Sequence, residues 1–176
     1  MLTLVLGGAR SGKSRYAQSL CGARPVRYLA TAQAAGDAEM SRRIERHRAE
    51  RPSHWQTVEV PVALVDAVRA PGDGDTIVVV DCITVWLSNL SYRHRGLRPE
   101  AREKRILGEV SDFIAASAAA DREVIAVSND VGNGIVPDSP VAREFRDLQG
   151  LANQKLAAAS KRVFSMVAGI PMVVKE

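Results

Sequence analysis

Gly7-Gly8-Ala9-Arg10-Ser11-Gly12-Lys13-Ser14 is an unbroken G-x-x-x-x-G-K-[ST] run. Such a run suits phosphate, because glycines let successive backbone N–H groups curve around one anion with no side chain in the way. A following helix offers its positive N-terminus to the same group. Lys13 is expected to reach the β- and γ-phosphates of a nucleoside triphosphate, and the Ser14 hydroxyl to ligate Mg²⁺. The metal then calls for a carboxylate at the end of a buried strand. Asp81, directly after Ile77-Val78-Val79-Val80, has that position. The competing reading of Asp81 is a strand-end residue that caps the next helix.

Other chemistry-bearing residues are less decided by their spacing. His47, His54 and His94 are the three histidines. On a helix, Met40, Ile44 and His47 share one face, and a histidine on such a face reads first as a packed residue. No NKxD base reader occurs. Asp147-Leu148-Gln149-Gly150 matches DxxG only inside an expected helix, where a γ-phosphate sensor would not sit. A compact kinase or nucleotidyltransferase therefore fits better than a GTPase switch or a motor. Cys21 and Cys82 stand far apart and make no CxxC pair, so a zinc site or disulfide framework has no support and a reducing compartment is expected.

The elements that must position these residues alternate between strand and helix. Apolar runs at 2–6, 26–30, 55–60, 76–80 and 123–128 read as strands. Helices are expected at 14–20, from Asp37 to about Glu50 with a stop at Pro52, and at 61–68 with Pro61 as the opening residue. Further helices are expected from near Thr84, from after a polar stretch at 91–99 to about Ala120, and at 140–160. Residues 129–139 read as a glycine-bearing loop, and 163–167 and 172–174 as strands around Gly169-Ile170-Pro171. This order predicts a three-layer α/β sandwich of the P-loop NTPase, RecA-like kind, with a mostly parallel central sheet.

Composition bounds the rest. The 176 residues fit one domain over 1–176, and 46% apolar with 25% charged residues is ordinary for a globular chain. Residues 1–8 are too short to span a membrane and lack the basic start of a signal peptide, so a cytoplasmic protein with no membrane partner is expected. Lysine and arginine exceed aspartate and glutamate by 24 − 20 = 4. That excess suits an anionic ligand. Few aromatics interleave with the arginines of 42–51 and 93–105, so a nucleic-acid partner has little support.

Several segments together resemble one family: GGARSGKSRYA, YLATAQ (28–33), DAEMSRRIERHRAERPSHWQTVE (37–59), VVDCITVWLSNL (79–90), SNDVGNGIVP (128–137) and AREFRDLQGLANQKLAAAS (142–160). The resemblance is to the bifunctional adenosylcobinamide kinase/adenosylcobinamide-phosphate guanylyltransferases of cobalamin biosynthesis, and it covers nearly the whole chain. It implies phosphorylation of adenosylcobinamide by ATP or GTP. It also implies GMP transfer from GTP, through a guanylyl-histidine intermediate, onto adenosylcobinamide phosphate to give adenosylcobinamide-GDP. The matching histidine is His47. Implied nucleotide contacts are Thr31, Ala32, Gln33, Arg48, Ala49, Glu50, Arg51, Glu59 and Asp81, with Glu59 a candidate guanine reader. Arg46 stands where some relatives carry a second histidine, which removes a paired-histidine relay but leaves the nucleophile. The loop at 128–137 is a candidate support for the corrinoid, and a homo-oligomer, a trimer by precedent, is implied. Two alternatives stay open: a P-loop small-molecule kinase without guanylyl transfer, and a RecA-like nucleotide-dependent nucleic-acid binder.

Overall fold

The computed structural model describes residues 1–33, 41, 42, 45, 48, 49, 51–72 and 74–176. The strands are β1 (Leu2–Gly7), β2 (Val26–Ala30), β3 (Gln56–Glu59), β4 (Ile77–Asp81), β5 (Val124–Val127), β6 (Arg162–Val167) and β7 (Ile170–Lys175). The helices between them are α1 (Lys13–Ser19), α2 (Leu64–Arg69), α3 (Ile83–Arg93), α4 (Pro99–Ala119) and α5 (Pro140–Ala159). Ser41, Arg42, Glu45, Arg48 and Ala49 are also helical. Among the described residues the strands form one sheet in the order β3-β2-β4-β5-β1-β6-β7. Every pairing is parallel except β6 with β7.

Near-continuous apolar runs explain the central strands, since a parallel sheet covered on both faces needs apolar residues on both. One face of the sheet, carrying Leu4, Leu29, Val78, Val80, Val124 and Ala126, packs against apolar residues of α2, α3, α4 and α5. The other, carrying Val5, Tyr28, Ile77, Val79, Ile125 and Phe164, packs against Ala17 and Cys21 at α1. The result is the expected three-layer α/β sandwich of the P-loop type. Because Ile77 and Val79 face α1, the strand alternation puts Asp81 on that same face.

Two local expectations are corrected. Pro61 does not open a helix; α2 begins at Leu64. The carbonyls of Pro61 and Val62 accept instead from Asn89 Nδ2 and Trp86 Nε1 of α3, each at 2.9 Å. A buried indole N–H and a carboxamide needing acceptors thus keep that stretch out of the helix. The final strand is also longer than 172–174. Ala168 and Gly169, with φ of 50° and 87°, make the turn, and Ile170 and Pro171 already pair with β6. Proline is tolerated there because β7 is the sheet edge and its N–H is not needed inward.

Candidate active site

β1 ends at Gly7, and the chain turns through Gly8 to Gly12 into α1. The turn needs glycine at Gly7, where φ is 149° and an added Cβ would lie 2.7 Å from both the Met166 carbonyl oxygen and Ser11 Oγ. Gly12, at φ 92°, takes a left-handed conformation that places the next N–H groups at the start of the helix. The loop is tied from three sides. Ser11 N donates to the Gly8 carbonyl at 3.3 Å, Gly169 N to the Ser11 carbonyl at 3.1 Å, and Asp130 N to the Gly7 carbonyl at 3.0 Å. Lys13, buried on its stem, reaches back so that Nζ donates to the Gly8 carbonyl at 2.5 Å. Ala9 and Arg10 are exposed on the rim and Ser14 is half-buried on the first turn of α1. A loop of converging donors with a lysine folded across it is what a polyphosphate requires.

Asp81 ends β4, which is separated from β1 by β5, so two strand spacings, ~10 Å, lie between the strand ends. Its surroundings are ordered by neighbours on β2, just after β2 and on α3. The Tyr28 hydroxyl on β2 donates to Asp81 Oδ2. Thr31 N donates to the Asp81 carbonyl at 3.2 Å, while Thr31 Oγ1 donates to the Cys82 carbonyl at 2.8 Å and accepts from Cys82 N at 2.9 Å. Asn89 on α3 closes the group by donating to the Thr31 carbonyl at 2.9 Å. The Asp81–Cys82 peptide is cis. Burial pushes the Cys82 thiol up to about 11, with the Asp81 charge adding to the rise and the Lys13 ammonium opposing it. Burial likewise raises the Tyr28 hydroxyl well above its ordinary range, so it remains a donor.

The segment that leads into β3 packs on the same spot. The Arg51 guanidinium lies 3.7 Å from the centroid of the Tyr28 ring and donates through Nη1 to Thr57 Oγ1 at 3.3 Å. Trp55 stacks on Tyr28 with centroids 6.2 Å apart. Arg51 Nε and Trp55 Nε1 are buried donors with no hydrogen-bond acceptor.

The candidate residues thus fall in distinct places. Gly7 to Ser14 form the turn, and Thr31 is joined to Asp81, with Ala32 half-buried and Gln33 exposed after it. Arg51 is half-buried against Tyr28, whereas Arg48 and Ala49 are exposed. Glu59 is exposed at the end of β3, four strand spacings, ~19 Å, from β1. His47 and Glu50 lie outside the described residues, as do Met40, Ile44 and Arg46. Of the other histidines, His54 is exposed and His94 Nε2 is bonded to Glu109 Oε1 at 2.9 Å. Asp147 of the DxxG match stands on α5, paired with Arg146 at 3.8 Å. Tyr28, Trp55 and Asn89 were not among the expected site residues. Their contacts depend on which strands are neighbours, and only the alternation Tyr28, Ala30 along β2 hinted at a shared face.

A family model described as cobinamide kinase / cobinamide phosphate guanyltransferase matches residues 3–174. The chain is 42% identical to the bifunctional adenosylcobalamin biosynthesis protein CobU of Escherichia coli (strain K12), over 99% of this chain and 100% of the relative. It is equally identical, over the same shares, to the protein of that name from Salmonella typhimurium. It is 41% identical to the bifunctional adenosylcobalamin biosynthesis protein CobP of Pseudomonas aeruginosa, over 99% and 98% of the two chains.

Proposed function

This chain belongs to the cobinamide kinase / cobinamide phosphate guanyltransferase family, and from that premise we propose that it is a bifunctional, cytoplasmic transferase of cobalamin biosynthesis. In the kinase half, the phosphate turn holds ATP or GTP. A hydroxyl oxygen of adenosylcobinamide bonds to the γ-phosphorus as the β–γ bridging bond breaks; the nucleoside diphosphate leaves and the hydroxyl proton passes to solvent. Lys13 and the N–H groups of Gly7 to Ser14 offset the charge that builds on the phosphate oxygens.

In the transferase half, an imidazole nitrogen of His47 bonds to the α-phosphorus of GTP as pyrophosphate leaves. A phosphate oxygen of adenosylcobinamide phosphate then displaces the imidazole, giving adenosylcobinamide-GDP and returning His47 neutral. The covalent step divides one difficult displacement into two easier ones, and a neutral imidazole is available near pH 7. Glu59 can accept from the guanine N1–H and amine. Its distance of ~19 Å from the β1 strand end is of the order of an extended nucleoside triphosphate, which favours a nucleotide lying along the strand ends.

Ser14 and Asp81 would hold Mg²⁺. Their hydroxyl and carboxylate oxygens are the hard donors it takes, and an ion held by one or two side chains keeps most of its water. When bound, Mg²⁺ neutralises phosphate oxygens and orients the triphosphate.

Assembly of the chain with copies of itself is supported by Ile170, Met172, Val173 and Val174 of the edge strand β7, all exposed apolar side chains. The observation that carries the catalytic reading is the phosphate turn and Asp81 at strand ends two spacings apart on one sheet face. The test supplies adenosylcobinamide with γ-labelled ATP and α-labelled GTP. A doubly labelled corrinoid is expected. Product carrying only the γ-label would leave a kinase alone, and no labelled corrinoid would refute both halves.

A further inference from the structure

Tyr28 is fully buried, yet its hydroxyl is spent on a carboxylate at the carboxyl end of β4 rather than on a backbone carbonyl. The register explains how. Tyr28 pairs with Val79 and Ala30 with Asp81, so Tyr28 and Asp81 are diagonal neighbours on one face, within reach of a long aromatic side chain. A carboxylate at a strand end has freedom about two side-chain torsions, and a donor fixed inside the core removes much of it. The opposite side of the same ring is engaged by residues from elsewhere. Arg51 lies over it and Trp55 stacks on it, and both follow directly on the segment that contains His47. The two contacts are through ring faces, and the buried Arg51 Nε and Trp55 Nε1 make no hydrogen bond of their own. One ring therefore touches both the carboxylate and the chain leading from the histidine.

We propose that Tyr28 is a positioning residue: its hydroxyl sets the Asp81 carboxylate for the divalent cation, and Arg51 and Trp55 hold its ring in the place from which it does so. The proposal rests on the nucleotide and Mg²⁺ site described above and adds the means by which the metal carboxylate is held in place. Tyr28→Phe keeps the ring and its stacking and removes only the donor. Arg51→Met keeps the hydroxyl and removes the guanidinium from the ring.

The test is Mn²⁺ binding to the whole protein, read by loss of the free-ion electron paramagnetic resonance signal, with the non-hydrolysable guanosine 5′-(β,γ-imido)triphosphate at saturation. Affinity for that analogue in EDTA is measured alongside. Loss of a hydrogen bond to a charged group predicts Mn²⁺ binding ~10-fold weaker in Tyr28→Phe, with metal-free nucleotide affinity unchanged and an unaltered melting curve. Arg51→Met is expected to weaken Mn²⁺ ~3-fold, and the double variant to be no worse than Tyr28→Phe alone, because the arginine acts through the tyrosine. Mn²⁺ binding by Tyr28→Phe within ~2-fold of wild type, or effects of the two substitutions that add, would overturn the proposal. Should Tyr28→Phe fail to fold, Arg51→Met decides, and unchanged Mn²⁺ affinity there overturns it. Wild-type protein that takes up the analogue without Mn²⁺, or neither, would instead refute the nucleotide and metal reading on which it stands.

Discussion

At Gly7 a single methyl group would meet the Met166 carbonyl and Ser11 Oγ at 2.7 Å, on a backbone that side chains rarely adopt. At Gly8, one residue on, nothing lies within 4 Å. Gly7→Ala is therefore expected to cost ~1–3 kcal/mol and most of the nucleotide affinity, and Gly8→Ala less than ~0.5 kcal/mol. Denaturant melts and equilibrium dialysis with labelled ATP compare the pair, and equal costs would remove the steric argument. Cys21 supplies a second residue-scale outcome. Burial raises its thiol to about 11 from 9.0. Below pH 9 both folded and unfolded chains keep the proton. Between 9 and 11 only the unfolded chain releases it, so stability falls as pH rises through that window. Denaturant midpoints of wild type and Cys21→Ala across pH 8 to 11 should converge as the cysteine's contribution is lost. What could be read at this scale was the phosphate turn, since its glycines, lysine and serine stand in one contiguous motif. The Tyr28–Asp81 bond could not be read, because it joins residues 53 apart in sequence through a register that no local pattern records.

Among the elements, the buried parallel strands were legible as apolar runs, because a strand covered on both faces has no other way to be written. Pro61 and β7 were misread for complementary reasons. The carbonyls of Pro61 and Val62 were claimed by α3 side chains from 24 residues and more away, and β7 gains its length from a partner strand rather than from burial. The loop after β5 is the element whose position carries most functional meaning. It leaves the sheet between the strand of the phosphate turn and the strand of Asp81. Its root is fixed by Asp130 N on the Gly7 carbonyl and by Asn129 N on Thr84 Oγ1 at 2.8 Å. Beneath it, Ser128, Gln149 and Asn153 form a hydrogen-bonded group. Its apolar residues Ile135 and Val136 nonetheless face solvent. An acceptor with apolar faces that reaches this loop would bury them. Ile135→Asp is expected to raise KM for adenosylcobinamide ~10-fold while leaving nucleotide KM unchanged, as loss of one apolar contact does. An equal change in both KM values would place the residue outside the acceptor's path.

For the molecule as a whole, the sheet is asymmetric. The β3 edge lies beside the segment of Arg51 and Trp55, while the β7 edge displays four apolar side chains more than half exposed. Such an edge invites pairing with another chain unless something covers it. Val173→Lys should shift the sedimentation coefficient toward that of a single chain without changing the far-ultraviolet circular dichroism, and an unchanged coefficient would free β7 of any assembly role. The same asymmetry organises the chemistry. The phosphate turn follows β1, Asp81 ends β4, and Arg51 lies over Tyr28 of β2. The claim on which all of this converges is that His47 carries GMP in the course of turnover. Incubation with α-labelled GTP, followed by denaturing electrophoresis, tests it most directly. The account predicts a protein-bound label that survives alkali, is released by acid, and is absent from His47→Ala. A wild-type protein that transfers γ-phosphate but retains no α-label, or a His47→Ala variant that retains it, would contradict the account.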